Sequence, residues 1–515
     1  MDIDRFHSMV QRLERESAVA PGHYRLKVAL LALLGFFILG LVLATLGFGL
    51  VALAGIAAAM AYSGGALLVL LVAKLGKLLF LLAVPLWYTL RSAFQALFVR
   101  FPAPQGHEVQ RADAPALFAA LDDMRRRMRG PRFHHVLVVA EANAAVVQRP
   151  AFGLVGFPRN YLLLGLPLLE CLAPDEAMAI VAHEYGHLAG SHGRFSAFIY
   201  RLRHTWATVQ AHMDHFQGWS ARLARPLVRW YAPYFNAYTF VLARADEYRA
   251  DAASAELVGA GSAAHALKRV NLVAPRYARY MEGVLRQVDE LATPPAGVMH
   301  GWAEHAGGPC EESMLRAWLE EALDREGHVA DTHPTLRARL AALGKPGQDQ
   351  HGLPPALQGD SAAQAWFGDA LGTVRGALQE RWAGELATPW AQRYAETQGE
   401  RARLRELRAA PGRDADQELE MLRLAMRHEP ETDLRAPLAA FNEAHPGHAL
   451  GLFLEGVTRL ERDEREGLDL LERAMQADPD ATGAACERAH AFLSARGEDE
   501  LAQAYLARWR AVQEG

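Results

Sequence analysis

The sequence predicts a mainly α-helical protein with one small β-sheet. Its expected parts are an N-terminal apolar hairpin, a central mixed domain and a C-terminal helical domain. Three observations predict this. No residue in 28–73 is charged. Two short apolar stretches, 135–140 and 161–164, read as strands among helical patterns. Beyond a Gly/Pro/Gln-rich stretch at 345–359 nearly everything carries helical periodicity.

Composition narrows the function. The chain has 515 residues, 51% of them hydrophobic and 22% charged, with a formal net charge of −5. That balance excludes a strongly basic nucleic-acid binder, so no nucleic-acid partner is expected. Cys171, Cys310 and Cys486 are scattered and odd in number, which excludes a disulfide framework and points to a reducing compartment.

A membrane span needs about 20 apolar residues, so 28–73 has the length of about two. Gly47-Phe48-Gly49 is the expected turn between them. The alternative is a buried helical hairpin of a soluble protein. Arg25 and Lys27 precede the run, and Lys74, Lys77 and Arg91 follow it. Positive charge at both ends places both in the cytoplasm; the expected location is a bacterial-type inner (plasma) membrane, crossed more than once. The stretch 78–90 contains Pro85 and is short for a span, so it is expected at the interface. If it did cross, the rest of the chain would face the other side. The expected segments are 1–27 cytoplasmic, 28–100 membrane hairpin with a membrane-proximal helix, 101–345 catalytic, 346–362 linker and 363–515 helical.

Residues 101–106 read as the exit from the membrane region, and 114–129 as an amphipathic helix. Its basic cluster, Arg125, Arg126, Arg127, Arg129 and Arg132, is a solvated face or a contact for anionic lipid. A strong helix is expected over 172–190, with Asp175 and Glu176 in its first turn. Another, 226–254, is expected to break at Pro233. In the tail, 423–430 and 472–479 resemble each other, and Ala474 and Pro479 fall at the small-residue and helix-end positions of tetratricopeptide repeats. A generic helical bundle fits the same pattern.

The chemistry lies in His183-Glu184-Tyr185-Gly186-His187. Residues four apart share a helix face, so both imidazoles can reach one ion. Glu184 would stand over a metal-bound water rather than on the metal, where it can take a proton. His192 follows His187 by five residues and misses the H-E-x-x-H-x-x-G-x-x-H spacing. Glu247 is the better third ligand, and Asp251, one turn on, could accept the free N–H of a ligand histidine. Taken alone, that segment is an ordinary charged helix.

Four blocks in order resemble the M48 family of membrane-associated zinc metallopeptidases, over about residues 107–345. They are Asn143-Ala144, the stretch 174–187, Arg244-x-x-Glu247-x-x-Ala250-Asp251, and Thr332-His333-Pro334-x-x-x-x-Arg339. The resemblance implies a gluzincin-type domain with one Zn2+ per chain. It makes His183, His187 and Glu247 the ligands and Glu184 the general base. It brings His333 to the site as an oxyanion donor or closing ligand, has Arg339 brace that segment through Asp251 or a nearby carboxylate, and puts substrate beside Asn143 and Ala144. In one respect the chain departs from the family's membrane proteases, which often carry two further spans before the third ligand. Here 195–238 holds Arg201, Arg203, Arg222, Arg225 and Arg229 and is not expected to span.

The expected function is a membrane-bound zinc endopeptidase acting on polypeptides, in quality control of misfolded or membrane proteins. The lipid bilayer and proteins held by the tail are its other expected partners. The rival is a membrane-anchored scaffold or chaperone with a latent or structural metal site.

Overall fold

The computed structural model describes residues 3–62, 103–149, 159–189, 219–327, 333–345 and 347–514, together with Val84, Trp87, Arg91, Ile199 and Leu202. His192, Thr332, most of 78–90, 63–73 and 203–218 lie outside the described residues. Among those described, the chain is mainly helical with one four-stranded sheet.

Helix α1 (Ile3–Val19) buries Met9, Val10 and Leu13 on one face. Helix α2 (Pro21–Tyr62) opens on a proline, whose missing N–H costs nothing in a first turn. Its 42 residues run through Gly47-Phe48-Gly49, so the expected hairpin turn is absent. A helical glycine costs only about 1 kcal/mol. The aliphatic residues on either side continue the helix, and no proline or polar residue stops it. At 1.5 Å per residue α2 is about 63 Å long, twice the hydrocarbon core of a bilayer. Its stretch Pro21–Ile38 is long and apolar enough to cross a membrane, and the described residues contain one such helix, not two.

The sheet has the order β1-β2-β4-β3, with β1 (His107–Glu108), β2 (His135–Val139), β3 (Ala144–Arg149) and β4 (Arg159–Gly165). β2 and β4 are parallel, with His135 opposite Tyr161, and β3 runs antiparallel to β4 along the sheet edge. The inner faces of β2 and β4 pack Val136, Val138, Leu162 and Leu164 against α3 (Pro115–Met128) and α4 (Pro174–Gly186). Gly165 must be glycine: a Cβ there would lie 2.1 Å from the Glu141 carbonyl oxygen and 2.3 Å from that of Asn143. This approach lets the Gly165 N–H donate to Asn143 at 2.7 Å and fixes where β3 begins.

Helix α5 (Trp219–Val258) passes through Pro226 and Pro233, which corrects the expected break. A proline forfeits one backbone bond and crowds the preceding turn. Tyr231 and Phe235, buried against Tyr24 and Val28 of α2, hold the axis across it. Helix α6 (Ala260–Arg286) returns along α4. Its Arg269 grips Glu176 at 2.8 and 2.9 Å, while Glu176 accepts from the Ala173 N–H and so caps α4. Next come α7 (Val298–Gly307), α8 (Glu312–Asp324), α9 (Leu336–Ala342), α10 (Ala362–Phe367) and α11 (Leu371–Ala409).

Two compact units emerge: residues to Leu285 with Pro295–Glu385, and Arg286–Pro294 with Leu386–Gly515. The first unit's border falls inside α11, not at the 346–362 segment expected as a linker. The Ala362 N–H donates to Leu172 at 2.8 Å, and Trp366 and Phe367 join the sheet's core. The second unit contains α12 (Ala415–His428), α13 (Arg435–Ala444), α14 (Ala449–Glu461), α15 (Gly467–Ala477), α16 (Thr482–Ser494) and α17 (Asp499–Glu514). Leu471, Ala485, Ala489 and Ala502 share one of its cores. α14 and α15 cross so closely that a Cβ on Gly467 would meet the Gly456 carbonyl oxygen at 2.5 Å.

Glu170 is buried in the first unit, 2.8 Å from the Arg375 guanidinium. Burial outweighs that partner and pushes its carboxyl up to about 7 from an ordinary 4.5. A raised carboxyl pKa in the folded state favours folding below 4.5 and loses that advantage as pH rises through 7. Relative to Glu170→Gln, the wild type is expected to lose about 3 kcal/mol of stability across this window. Melting temperatures of the two proteins at several pH values check it, and parallel curves would count against it.

Candidate metal centre

His183 lies in the last turn of α4 and His187 caps its C-terminal end, with ring centroids 5.1 Å apart and planes at 89°. Glu247 reaches them from α5. Its Oε2 lies 3.5 Å from His183 Nε2 and its Oε1 lies 3.3 Å from His187 Nε2. Two ligands of a tetrahedral ion at about 2.0–2.1 Å stand about 3.3 Å apart, so these spacings fit one small cation. All three donor atoms fall within 4.8 Å of one another. Glu247 Oε2 is buried without a well-directed hydrogen bond, although His333 Nδ1 stands 2.9 Å away. A buried carboxylate oxygen aimed among imidazoles is what a metal would satisfy.

The two helices come this close because of small residues. A Cβ on Gly186 would lie 3.1 Å from Ala250 Cα, so glycine at that position of the motif lets α4 touch α5. The Ser254 hydroxyl donates to the Ala179 carbonyl at 2.7 Å across the same contact. Tyr185, fully buried, donates to the Pro131 carbonyl at 2.6 Å and anchors α4 from its other side.

Behind the cluster lies a chain of charges. His183 Nδ1 is 2.9 Å from Asp251 Oδ1. Arg339 of α9 holds Asp251 with two parallel bonds, Nη2 to Oδ1 at 2.6 Å and Nε to Oδ2 at 2.9 Å. Asp251 thereby orients the His183 ring so that Nε2 faces Glu247. Burial alone would push both carboxyls up. The histidines instead hold Glu247 well below the carboxylate range, and Arg339 with His183 does the same for Asp251. Burial lowers the His183 imidazole, but Asp251 and Glu247 overcome it and carry it up to about 9. His333 is raised chiefly by its contact with Glu247. Without an ion the His183 imidazole carries compensating charge, so a metal must displace its proton to bind.

Glu184 is half-buried between the histidines on α4, and its charge bears on both His333 and Arg339. Asn143 precedes β3 and Ala144 opens it, and β3 packs against α4. The Asn143 side chain accepts from the Ala144 N–H at 2.8 Å. Among the described residues no hydrogen bond or ion pair joins either of them to the cluster. The structure thus gathers His183, His187, Glu247, Asp251, His333 and Arg339, and leaves Asn143 and Ala144 on a neighbouring strand. Sequence reasoning named Gly186 and Ala250 as motif members but missed that they are where α4 and α5 touch; the only signal was a small residue immediately before His187 and before Asp251.

Replacing Asp251 by asparagine removes the charge that orients His183 and leaves Arg339 buried without its carboxylate. Metal affinity is expected to fall about 10- to 100-fold. Competition against a chelator of known affinity measures this, and an unchanged constant would sink the orienting role.

Residues 126–346 match the family model described as peptidase family M48, a stretch that contains the whole cluster. No curated protein and no solved structure matches the chain.

Proposed function

From the match of residues 126–346 to peptidase family M48, we propose that this chain is a membrane-anchored zinc endopeptidase acting on misfolded or membrane proteins. The observation that carries the reading is the convergence of two histidines and a buried glutamate at the spacing of tetrahedral ligands. His183, His187 and Glu247 would hold one zinc ion. Bound there, zinc would supply Lewis acidity toward a peptide carbonyl and the attacking water. Two imidazoles and a carboxylate suit zinc better than a hard oxygen-seeking cation.

Glu184 accepts the proton of the attacking water and passes it to the leaving amine. His333 donates to the oxygen on which negative charge develops. The outer edge of β3, which has no strand beyond it among the described residues, would take an extended substrate as an added strand. Asn143 and Ala144 begin that edge. α2 would anchor the chain in a bacterial-type plasma membrane, and Arg25 and Lys27 at its start favour a catalytic domain facing the cytoplasm. The helical tail would recruit substrates or partner proteins as degenerate tetratricopeptide repeats do.

One observation favours a second reading, a scaffold with a latent metal site. His333 stands 2.9 Å from Glu247, where it could close the coordination shell. Detergent-purified full-length protein incubated with unfolded casein separates the two. A protease is expected to cut casein with about one zinc per chain, to stop on chelation and to resume when zinc returns. Zinc at that level without cleavage would favour the scaffold.

A further inference from the structure

Helix α3 ends in a band of exposed arginines: Arg125, Arg126 and Arg127 in its last turn, then Arg129 and Arg132 beyond it. Arg159, exposed at the start of β4, joins them. The His134 N–H donates to the Asn160 carbonyl at 2.8 Å, and the Asn160 amide donates to the Arg132 carbonyl at 3.0 Å, which keeps Arg132 and Arg159 near each other. Partial burial lowers the His134 imidazole, and Arg132, His135 and Arg159 lower it further, so positive potential gathers there. The neighbouring acids are already engaged. Asp122 pairs with Arg111 at 2.7 Å, Asp123 with Arg126 at 3.0 Å and Glu108 with His135 at 2.8 Å. Arg127 donates to the Leu257 carbonyl at 2.9 Å, beside exposed Glu256. Among the described residues Arg125, Arg129, Arg132 and Arg159 have no side-chain hydrogen bond or ion pair. The sequence at 150–158, just before Arg159, carries no charge to pair with them.

The turn after α3 is built to hold an arginine where glycine would be more stable. Arg129 takes φ +52°, the left-handed conformation that glycine or asparagine ordinarily supplies just past a helix. Gly130 behind it has no freedom, because a Cβ there would lie 2.4 Å from the Tyr185 hydroxyl oxygen. That hydroxyl donates to the Pro131 carbonyl at 2.6 Å, so the turn from Arg129 to Arg132 is braced on α4.

We propose that this guanidinium patch docks an acidic stretch of another polypeptide. A single exposed ion pair contributes little, so a lone acidic side chain is not held. Consecutive acidic residues on an extended chain stand about 3.3 Å apart along it and meet several guanidinium groups at once, each able to take two carboxylate oxygens. Lipid head groups are excluded by distance. Tyr24 stacks on Tyr238 and Tyr231 meets Leu31, so α2 runs antiparallel to α5 and its first residue, Pro21, is level with about Val241. Leu257, where Arg127 docks, lies sixteen residues further, about 24 Å along the axis and about three Debye lengths at physiological salt. With α2 as the anchor, its bilayer does not reach the patch. Single-stranded nucleic acid needs exposed rings to stack on, and no exposed aromatic residue lies on α3, on the turn after it or on β4.

The test uses full-length Glu184→Gln protein in phosphatidylcholine nanodiscs and fluorescent decaglutamate, so that neither cleavage nor anionic lipid intervenes. Decaglutamate is expected to bind and decalysine not, with affinity falling as salt rises from about 50 to about 200 mM. Combining Arg129→Gln, Arg132→Gln and Arg159→Gln should weaken decaglutamate about tenfold, with zinc content unchanged. Arg129→Gly alone should raise the melting temperature by relieving the left-handed arginine and still weaken decaglutamate. No binding, equal binding of decalysine, or binding that the triple variant leaves intact overturns the docking surface. So does tighter binding, lost in the triple variant, of phosphatidylglycerol vesicles or of a ten-nucleotide DNA strand, which would make the patch a lipid or nucleic-acid contact. Casein cleavage by the wild type without decaglutamate binding removes the docking surface and leaves the peptidase. Decaglutamate binding without casein cleavage does the reverse.

Discussion

Glu184→Gln is expected to keep its metal and to lose peptide hydrolysis by about a thousandfold, the scale on which a positioned general base contributes. Glutamine matches glutamate in size and can still accept hydrogen bonds, but it cannot take a proton from water. Glu184 stands outside the three-donor group, so the change leaves all three ligand side chains untouched. Metal analysis beside a kcat measurement on a fluorogenic peptide gives the two numbers needed. Full activity would remove Glu184 from the mechanism, and loss of metal would make it a ligand instead.

Glu247→Ala is expected to act at the earlier step, abolishing metal binding at micromolar concentrations and reducing cleavage to background. The side chain is buried and stands against three imidazoles, so its removal deletes a ligand and the charge that balances His183. Taking away one partner of a buried ion pair costs about 3–5 kcal/mol, so the metal-free variant should also melt lower. Glu247→Asp keeps the charge but retracts it by one methylene, and should hold metal weakly. Calorimetric zinc titration of the three proteins orders them. Wild-type affinity in Glu247→Ala would transfer the third ligand elsewhere.

The pair His183 and His187 was legible because helical spacing is itself a geometric statement. Four residues are one turn, and the apolar stretch before them required a buried helix. Glu247 was legible more weakly, as one acid of a charged helix that became specific only beside Asp251 and the other blocks. The approach that joins them was not legible. It depends on Gly186 meeting Ala250, and a small residue in a helix carries no local signal of what lies opposite. The sheet was half legible. β2 and β4 are apolar runs, whereas β3 mixes Ala144-Ala-Val-Val with Gln148 and Arg149 as an edge strand does. The turn expected at Gly47-Phe48-Gly49 and the break expected at Pro233 failed for a common reason. Local breakers act by about 1–3 kcal/mol, and neighbouring helical turns or packed aromatic rings outweigh them.

The unbroken course of α5 has a mechanical consequence. Midway along it, Tyr231 donates to the Leu31 carbonyl at 2.8 Å, and Tyr238 stacks on Tyr24 at 5.7 Å, so this part of the helix is clamped to the apolar stretch of α2. Sixteen residues beyond Tyr231, about 24 Å along the axis, the same helix carries Glu247. The attachment continues toward the ligand set: Val241 and Leu242 lie in the same core as Tyr24 and Val28, and Arg244 pairs with Glu14 of α1. Glu247 is thus one turn from residues seated on α1 and α2, and a site that works only within roughly 0.5 Å depends on how those two helices are placed. A displacement of α2 is therefore expected to reach Glu247 through α5.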